Sequence, residues 1–373
     1  MSLSRILANS WRRNHLFSVL LELTYRCNLD CFFCYNDLGL QGRALSRERY
    51  FQLLEELREL EVFHLTLSGG EPLAHPDFLA LGSRARDLGF VVRVKSNGHA
   101  LRGELARRLR DEVDPFLVEV SLHGACAATH DRQTRVPGSF DRLVANLGEL
   151  RALGLRVKVN STLTAWNEGE VEGMFALADR LGLPLQIDPE VTPKDDGSRE
   201  PLSIVPSREG VLRLFRLQTE RGRAAHEAAS PATAASAAPV EVARGADDGT
   251  MPIPTEKHCG AGSSGLAIDP YGNVYPCVQW RRPVGNLHEA TLREIWLHSR
   301  GLDEVRDLTV AAKGAVEASG PGGMLLNFCP GTAQSLTGDP LQVYAGAEQR
   351  RELLQEILRE EDERKKPLLP ILR

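Results

Sequence analysis

A chain of 373 residues with 42% hydrophobic and 25% charged side chains has a globular balance, with length for one large domain and a smaller one. Its 45 basic and 50 acidic residues leave a formal charge of -5, so nucleic acid is excluded as an expected partner. The best early apolar run, Leu16 to Leu23, is too short to span a membrane and contains Glu22; with no signal peptide visible, a cytoplasmic location with reduced thiols is expected.

Residues 1–16 read as an N-terminal segment, and from Phe17 to about residue 220 strand-like and helix-like segments alternate. Apolar β-rich runs occur at Phe17–Leu23, Phe63–Leu67, Val91–Lys95, Leu117–Leu122, Val157–Leu163 and Leu185–Ile187. Amphipathic stretches separate them at Ser46–Glu61, Pro76–Leu88, Gly103–Glu112, Phe140–Leu153 and Glu168–Leu181. The first of these has Leu53, Leu54, Leu57 and Leu60 at helical spacing. Such repeats predict an α/β fold with a parallel sheet and right-handed crossovers. Six strands make a partial (β/α)6 barrel, short of a closed eight-stranded one. Function gathers after the strands' C-terminal ends, which singles out the first cysteine loop, Ser68–Pro72, Ser96–Gly98 and Ser121–Gly124.

Residues 221–255, rich in Ala, Pro, Gly and Ser, read as a flexible linker. Beyond it, a small α+β domain is expected over 256–345. Within it, Gly265–Ile268 and Asn273–Tyr275 flank the turn signal Asp269-Pro270-Tyr271-Gly272, a predicted β-hairpin. Residues 346–373 read as a charged C-terminal helix over Glu348–Lys366, with Leu353, Leu354, Ile357 and Leu358 on one side.

Six of the seven cysteines fall in two groups near opposite ends of the chain, which argues for metal in a reducing compartment. Cys27, Cys31 and Cys34 place three thiolates within eight residues, able to wrap one face of a soft metal centre. Three ligands leave a position open, as catalytic centres do, whereas a structural zinc site takes a fourth. A zinc ribbon completed from a distance is the alternative, and it leads to a non-catalytic zinc-binding or scaffold protein.

Cys-x3-Cys-x-aromatic-Cys after the first strand resembles the signature of the radical S-adenosylmethionine (SAM) superfamily. Ser68-Gly69-Gly70-Glu71-Pro72 is similar to that family's Gly-Gly-Glu-Pro motif. Lys95-Ser-Asn97-Gly98 and Ser121-Leu-His123-Gly124 follow at later strand ends, as they do there. The resemblance implies a [4Fe-4S] cluster at Cys27, Cys31 and Cys34 whose open iron binds SAM. Reductive cleavage then gives a 5′-deoxyadenosyl radical that abstracts a substrate hydrogen. It also implies that Gly69, Gly70 and Glu71 meet the SAM ammonium, Asn97 lies beside them, and Ser121 and Arg135 hold the SAM carboxylate. Phe33 would lie near the adenine and Asn160 near the ribose.

Cys259, Cys277 and Cys329 form the second group. Cys-x17-Cys containing Gly-x4-Cys resembles the C-terminal extension called SPASM, or its shortened form Twitch. This implies one auxiliary [4Fe-4S] cluster. The family's further Cys-x2-Cys-x5-Cys run is absent, as is the usual fourth ligand, for which His258 and Asp269 are nearby candidates. Cys126 is expected to be a small buried residue. His123, where many members of the family carry Asp, is a candidate acid–base group or a packing histidine.

The resemblance implies hydrogen abstraction from a ribosomally made peptide, leading to a cross-link, thioether, dehydrogenation or epimerisation. A sugar or amino-acid derivative is the alternative substrate. A flavodoxin or ferredoxin-type reductant is the expected partner, with no membrane partner. Only sixteen residues precede Phe17, so a separate peptide-recognition protein is a further candidate.

Overall fold

A computed structural model describes residues 3–228, 256–320 and 322–365. Helix α1 (Leu3–Arg13) precedes six β/α units. Their strands are β1 (Ser18–Glu22), β2 (His64–Ser68), β3 (Val91–Ser96), β4 (Leu117–Ser121), β5 (Val157–Thr162) and β6 (Leu185–Asp188). Between them run α2 (Arg47–Glu59), α3 (Phe78–Asp87), α4 (Gly103–Arg108), α5 (Ala127–Thr134), α6 (Ser139–Ala152) and α7 (Val171–Leu181), and α8 (Arg208–Ala228) follows β6. Each strand from β1 to β6 pairs in parallel with the next, as the alternation predicts.

Two-residue periodicity sorts the strand side chains. Val19, Leu21, Leu65, Leu67, Val92, Val94, Val118, Val120, Val157 and Val159 bury in one core with helix residues such as Leu53, Leu57, Leu143, Leu147 and Met174. The alternate positions, among them Glu22, Ser68, Lys95, Glu119, Ser121 and Asn160, face the barrel interior and are mostly polar. Helix α2 starts where Ser46 caps it by accepting from the Arg49 N–H at 3.2 Å.

The C-terminal part contributes β7 (Gly265–Ile268), β8 (Asn273–Tyr275), β9 (Gly285–Asn286), α9 (Leu292–His298), α10 (Arg300–Ala318), α11 (Pro330–Thr337) and α12 (Ala345–Lys365). The predicted hairpin forms between β7 and β8, but it does not stand apart. Strand β7 pairs in parallel with β1, Ser18 opposite Gly265 and Leu21 opposite Ile268, so one sheet runs β6-β5-β4-β3-β2-β1-β7-β8-β9. The outer edge of β1 is thereby covered.

Two expectations need correction. Residues 221–228 continue α8, where Arg221 pairs with Asp179 and Arg223 with Glu361; the rest of the expected linker lies outside the described residues. Cys126 is exposed, since it sits at the start of α5 with its Sγ 3.4 Å from Oε1 of Glu170. The C-terminal helix docks on α8: Leu353 and Ile357 are buried, Leu358 is not, and Arg208 and Arg216 pair with Glu356 and Glu360.

Candidate active site

The first cysteine loop leaves β1 and is stitched to its neighbours by backbone hydrogen bonds. Gly70 N–H donates to the Thr24 carbonyl at 2.8 Å and Glu71 N–H to that of Arg26 at 2.9 Å. On the other side, Asp30 and Phe32 N–H groups donate to the carbonyls of Thr134 and Gln133 at the end of α5. Gly69 has φ +135°, and a Cβ there would lie 2.3 Å from the Thr24 carbonyl oxygen. The two chains touch backbone to backbone, which only glycine permits. Gly69→Ala is expected to cost about 3 kcal/mol, read as a lowered unfolding midpoint, with weaker iron retention. An unchanged midpoint would show that the contact is dispensable.

Glu71 is held in place from the end of the neighbouring strand β3. Its carboxylate is buried and accepts from the Ser96 hydroxyl (2.9 and 3.1 Å), Asn97 N–H (2.8 Å) and Leu73 N–H (3.2 Å). Those three donors leave one of the carboxylate's four lone-pair sites open. Burial pushes this carboxyl up while the same hydrogen bonds pull it down. Asn97, held by Glu71, donates from Nδ2 to Asn28 at 2.8 Å and lies 3.7 Å from Cys27 Sγ. The Gly-Gly-Glu and Ser-Asn-Gly segments are thus one hydrogen-bonded scaffold beneath Cys27.

The three thiols face a cost that suits a cation. Burial pushes all three up, Cys34 to about 11; Cys31 is raised further by Cys34 and Cys27, and Cys34 by Cys27. As thiolates they need a soft, positively charged group to offset desolvation and repulsion, and iron fits. Among the described residues no three His, Cys, Asp or Glu side chains are gathered as a single-ion site would require.

Ser121 and Asn160 stand opposite each other on β4 and β5, and Asn160 faces Gln186 on β6, one row across the barrel interior. Phe33 packs edge-on against His123, ring centroids 4.5 Å apart. His123 is buried; desolvation, aided by His130, pulls it down to about 3, which favours the neutral ring. Arg135 donates to Asp30 (3.2 Å) and Glu200 (3.1 Å) and lies over the Phe32 ring at 4.6 Å.

In the second group, Cys277 opens a tight turn closed by Trp280, and Cys329 caps α11. His258 Nε2 is 2.8 Å from the Phe328 carbonyl, next to Cys329. Asp269 is corrected as a ligand candidate: it is fully buried and accepts from Tyr271 N–H, Asn273 N–H, Asn273 Nδ2 and Tyr275 Oη at 2.7–3.2 Å. The carboxylate builds the hairpin turn. Asp269→Ala should therefore lower stability by about 3 kcal/mol and leave iron content unchanged; lost iron in a folded variant would restore it as a ligand. That turn also touches the first cysteine loop, since Tyr271 Oη donates to the Leu40 carbonyl at 2.8 Å.

Sequence reasoning missed Arg281, Asp195 and the role of Glu22, which meet between the two cysteine groups. A lone carboxylate ending an otherwise apolar strand was the available signal.

Residues 21–178 match the family model described as the radical SAM superfamily, and residues 259–317 match SPASM, an iron-sulfur cluster-binding domain. Mycofactocin maturase MftC of Mycobacterium tuberculosis is 30% identical over 294 residues, 77% of this chain and 71% of that protein. The chain belongs to the radical SAM superfamily.

It is a radical SAM enzyme with a SPASM-type extension, which sets aside the scaffold reading. PqqA peptide cyclase of Ruegeria pomeroyi is 29% identical over 78% of this chain and 76% of that protein. AdoMet-dependent heme synthase of Methanosarcina barkeri is 27% identical over 77% and 83%. The fold is that of anSMEcpe with bound AdoMet, with a TM-score of 0.68 at 17% identity over 92% of this chain and 97% of that one. Cys259 and Cys277 lie within the SPASM match and Cys329 beyond its end. No helix among the described residues is long and apolar enough to cross a membrane.

Proposed function

We propose that this radical SAM enzyme abstracts a hydrogen atom from a ribosomally made peptide. A [4Fe-4S] cluster at Cys27, Cys31 and Cys34 would serve SAM cleavage, and an auxiliary cluster would sit at Cys259, Cys277 and Cys329. The reading is carried by the scaffold in which Glu71, Ser96 and Asn97 hold the Cys27 loop. When bound, the first cluster supplies the electron that cleaves SAM to the 5′-deoxyadenosyl radical. The chain's own residues bind and orient. Carbonyls of Gly69 and Gly70, brought close by the missing side chains, accept from the SAM ammonium together with the open lone pair of Glu71. Ser121 holds the SAM carboxylate, joined by Arg135 once that guanidinium exchanges Asp30 or Glu200. Asn160 reaches the ribose, and Phe33, braced by neutral His123, walls the adenine. A flavodoxin or ferredoxin-type protein supplies electrons, and a separate recognition protein presents the peptide.

One of the relatives cited, PqqA peptide cyclase, is named for a peptide substrate, which favours a peptide; the heme synthase supports a small-molecule substrate as the second reading. The test is anaerobic incubation of reconstituted enzyme, SAM and dithionite with any short peptide encoded beside its gene. A SAM-dependent mass change in that peptide is expected. SAM cleavage with every such peptide left intact would move the assignment to a small molecule.

A further inference from the structure

Strand β1 ends in a fully buried carboxylate. Glu22 takes two hydrogen bonds from Arg281, from Nη2 to Oε1 at 2.7 Å and from Nη1 to Oε2 at 2.9 Å. Nε of the same guanidinium lies 2.9 Å from Oδ2 of Asp195. Tyr25 Oη donates to Glu22 at 3.0 Å, and the rings of Tyr275 and Tyr35 flank the guanidinium at 5.1 and 5.8 Å. Each charged member sits close to a cysteine of the site. Glu22 is five positions before Cys27, and Arg281 is four after Cys277. Asp195 is joined to the far end of the first loop, since its N–H donates at 2.7 Å to the carbonyl of Tyr35, the residue after Cys34.

Burying three charges costs several kcal/mol per ion before they attract one another, and apolar side chains would fill the same space more cheaply. What apolar packing lacks is direction. A planar guanidinium forked on Glu22 fixes its own segment and that of Glu22 in distance and orientation, and its ion pair with Asp195 holds the third in distance.

We propose that the Glu22–Arg281–Asp195 knot is a positioning device and Arg281 its positioning residue. It locks the Cys277 loop to both ends of the Cys27–Cys34 loop and so sets the separation of the two iron–sulfur sites. The second half of that statement rests on the reading that both cysteine groups hold clusters.

Hydrogen exchange on the reconstituted protein tests the knot directly. In Arg281→Met, amides of residues 22–37 and of residues 274–284 should both exchange about tenfold faster, while those of α6 keep their wild-type rate. Arg282→Met is the control, because that neighbouring side chain pairs with exposed Glu304 and with no other carboxylate among the described residues. Faster exchange confined to residues 274–284, or none at all, would overturn the proposal: Arg281 would then serve only its own loop. Should Arg281→Met fail to fold, Arg281→Lys keeps the charge without the fork and should show the same paired signature at lower amplitude. Faster exchange in Arg281→Lys confined to residues 274–284 would overturn it equally. Electron paramagnetic resonance supplies a readout that general loosening would not mimic. Spin–spin broadening between the two reduced clusters should change in the Arg281 variants and not in Arg282→Met; unchanged broadening would overturn the positioning role. A wild type with one cluster signal would end the auxiliary-cluster reading, and the exchange data would still decide the knot.

Discussion

Alanine at Cys27, Cys31 and Cys34 together should bring 5′-deoxyadenosine formation to background, with iron content falling by about half. The expectation follows from the burial of the three thiols and from the scaffold beneath them. Asn97 and the Gly-Gly-Glu segment hold the loop from below, and the end of α5 holds it from the side. The loop should keep its course without the thiols, so the loss would belong to the metal site and not to unfolding. Thermal unfolding of the iron-free wild type and variant should coincide within a few degrees. Full SAM cleavage in the triple variant would overturn the proposed cofactor site outright.

Alanine at Cys259, Cys277 and Cys329 should give the opposite split. SAM cleavage persists, iron again falls by about half, and substrate turnover drops to background. These cysteines lie on segments outside the six-stranded barrel, at a loop before β7, a turn after β8 and the cap of α11. Their removal leaves the Gly69–Asn97 scaffold untouched. Product formed at the wild-type rate would make the second group structural.

Much of the barrel was legible because each strand buries one face. Val19 and Leu21, Val92 and Val94, Val118 and Val120 announce a helix-covered side, and Ser46 marks where α2 begins. The first cysteine loop was legible from spacing alone. What escaped was every feature decided by long-range contact. Nothing local in Gly265–Ile268 says that it pairs with β1, and nothing in Glu71 says that three donors will close around it. Asp269 sits near Cys277 in sequence, yet its carboxylate is consumed by its own turn. Cys126 lies in an alanine-rich stretch that looks apolar, but whether the first residue before a helix is covered depends on what packs there. Arg281 was one arginine among many until the fold brought it to Glu22.

The place of β7 beside β1 has a consequence for how the protein is made. Ser18 and Ser264, bonded at that seam, are 246 positions apart. At ordinary rates of synthesis the ribosome needs on the order of tens of seconds to cover that distance. Throughout that interval the opening strand of the sheet waits with one flank unpaired, a template for any other nascent strand. A cell making this enzyme would gain from chaperones that shelter the half-built sheet, and a chain stopped at Ala228 should precipitate where the full chain stays in solution.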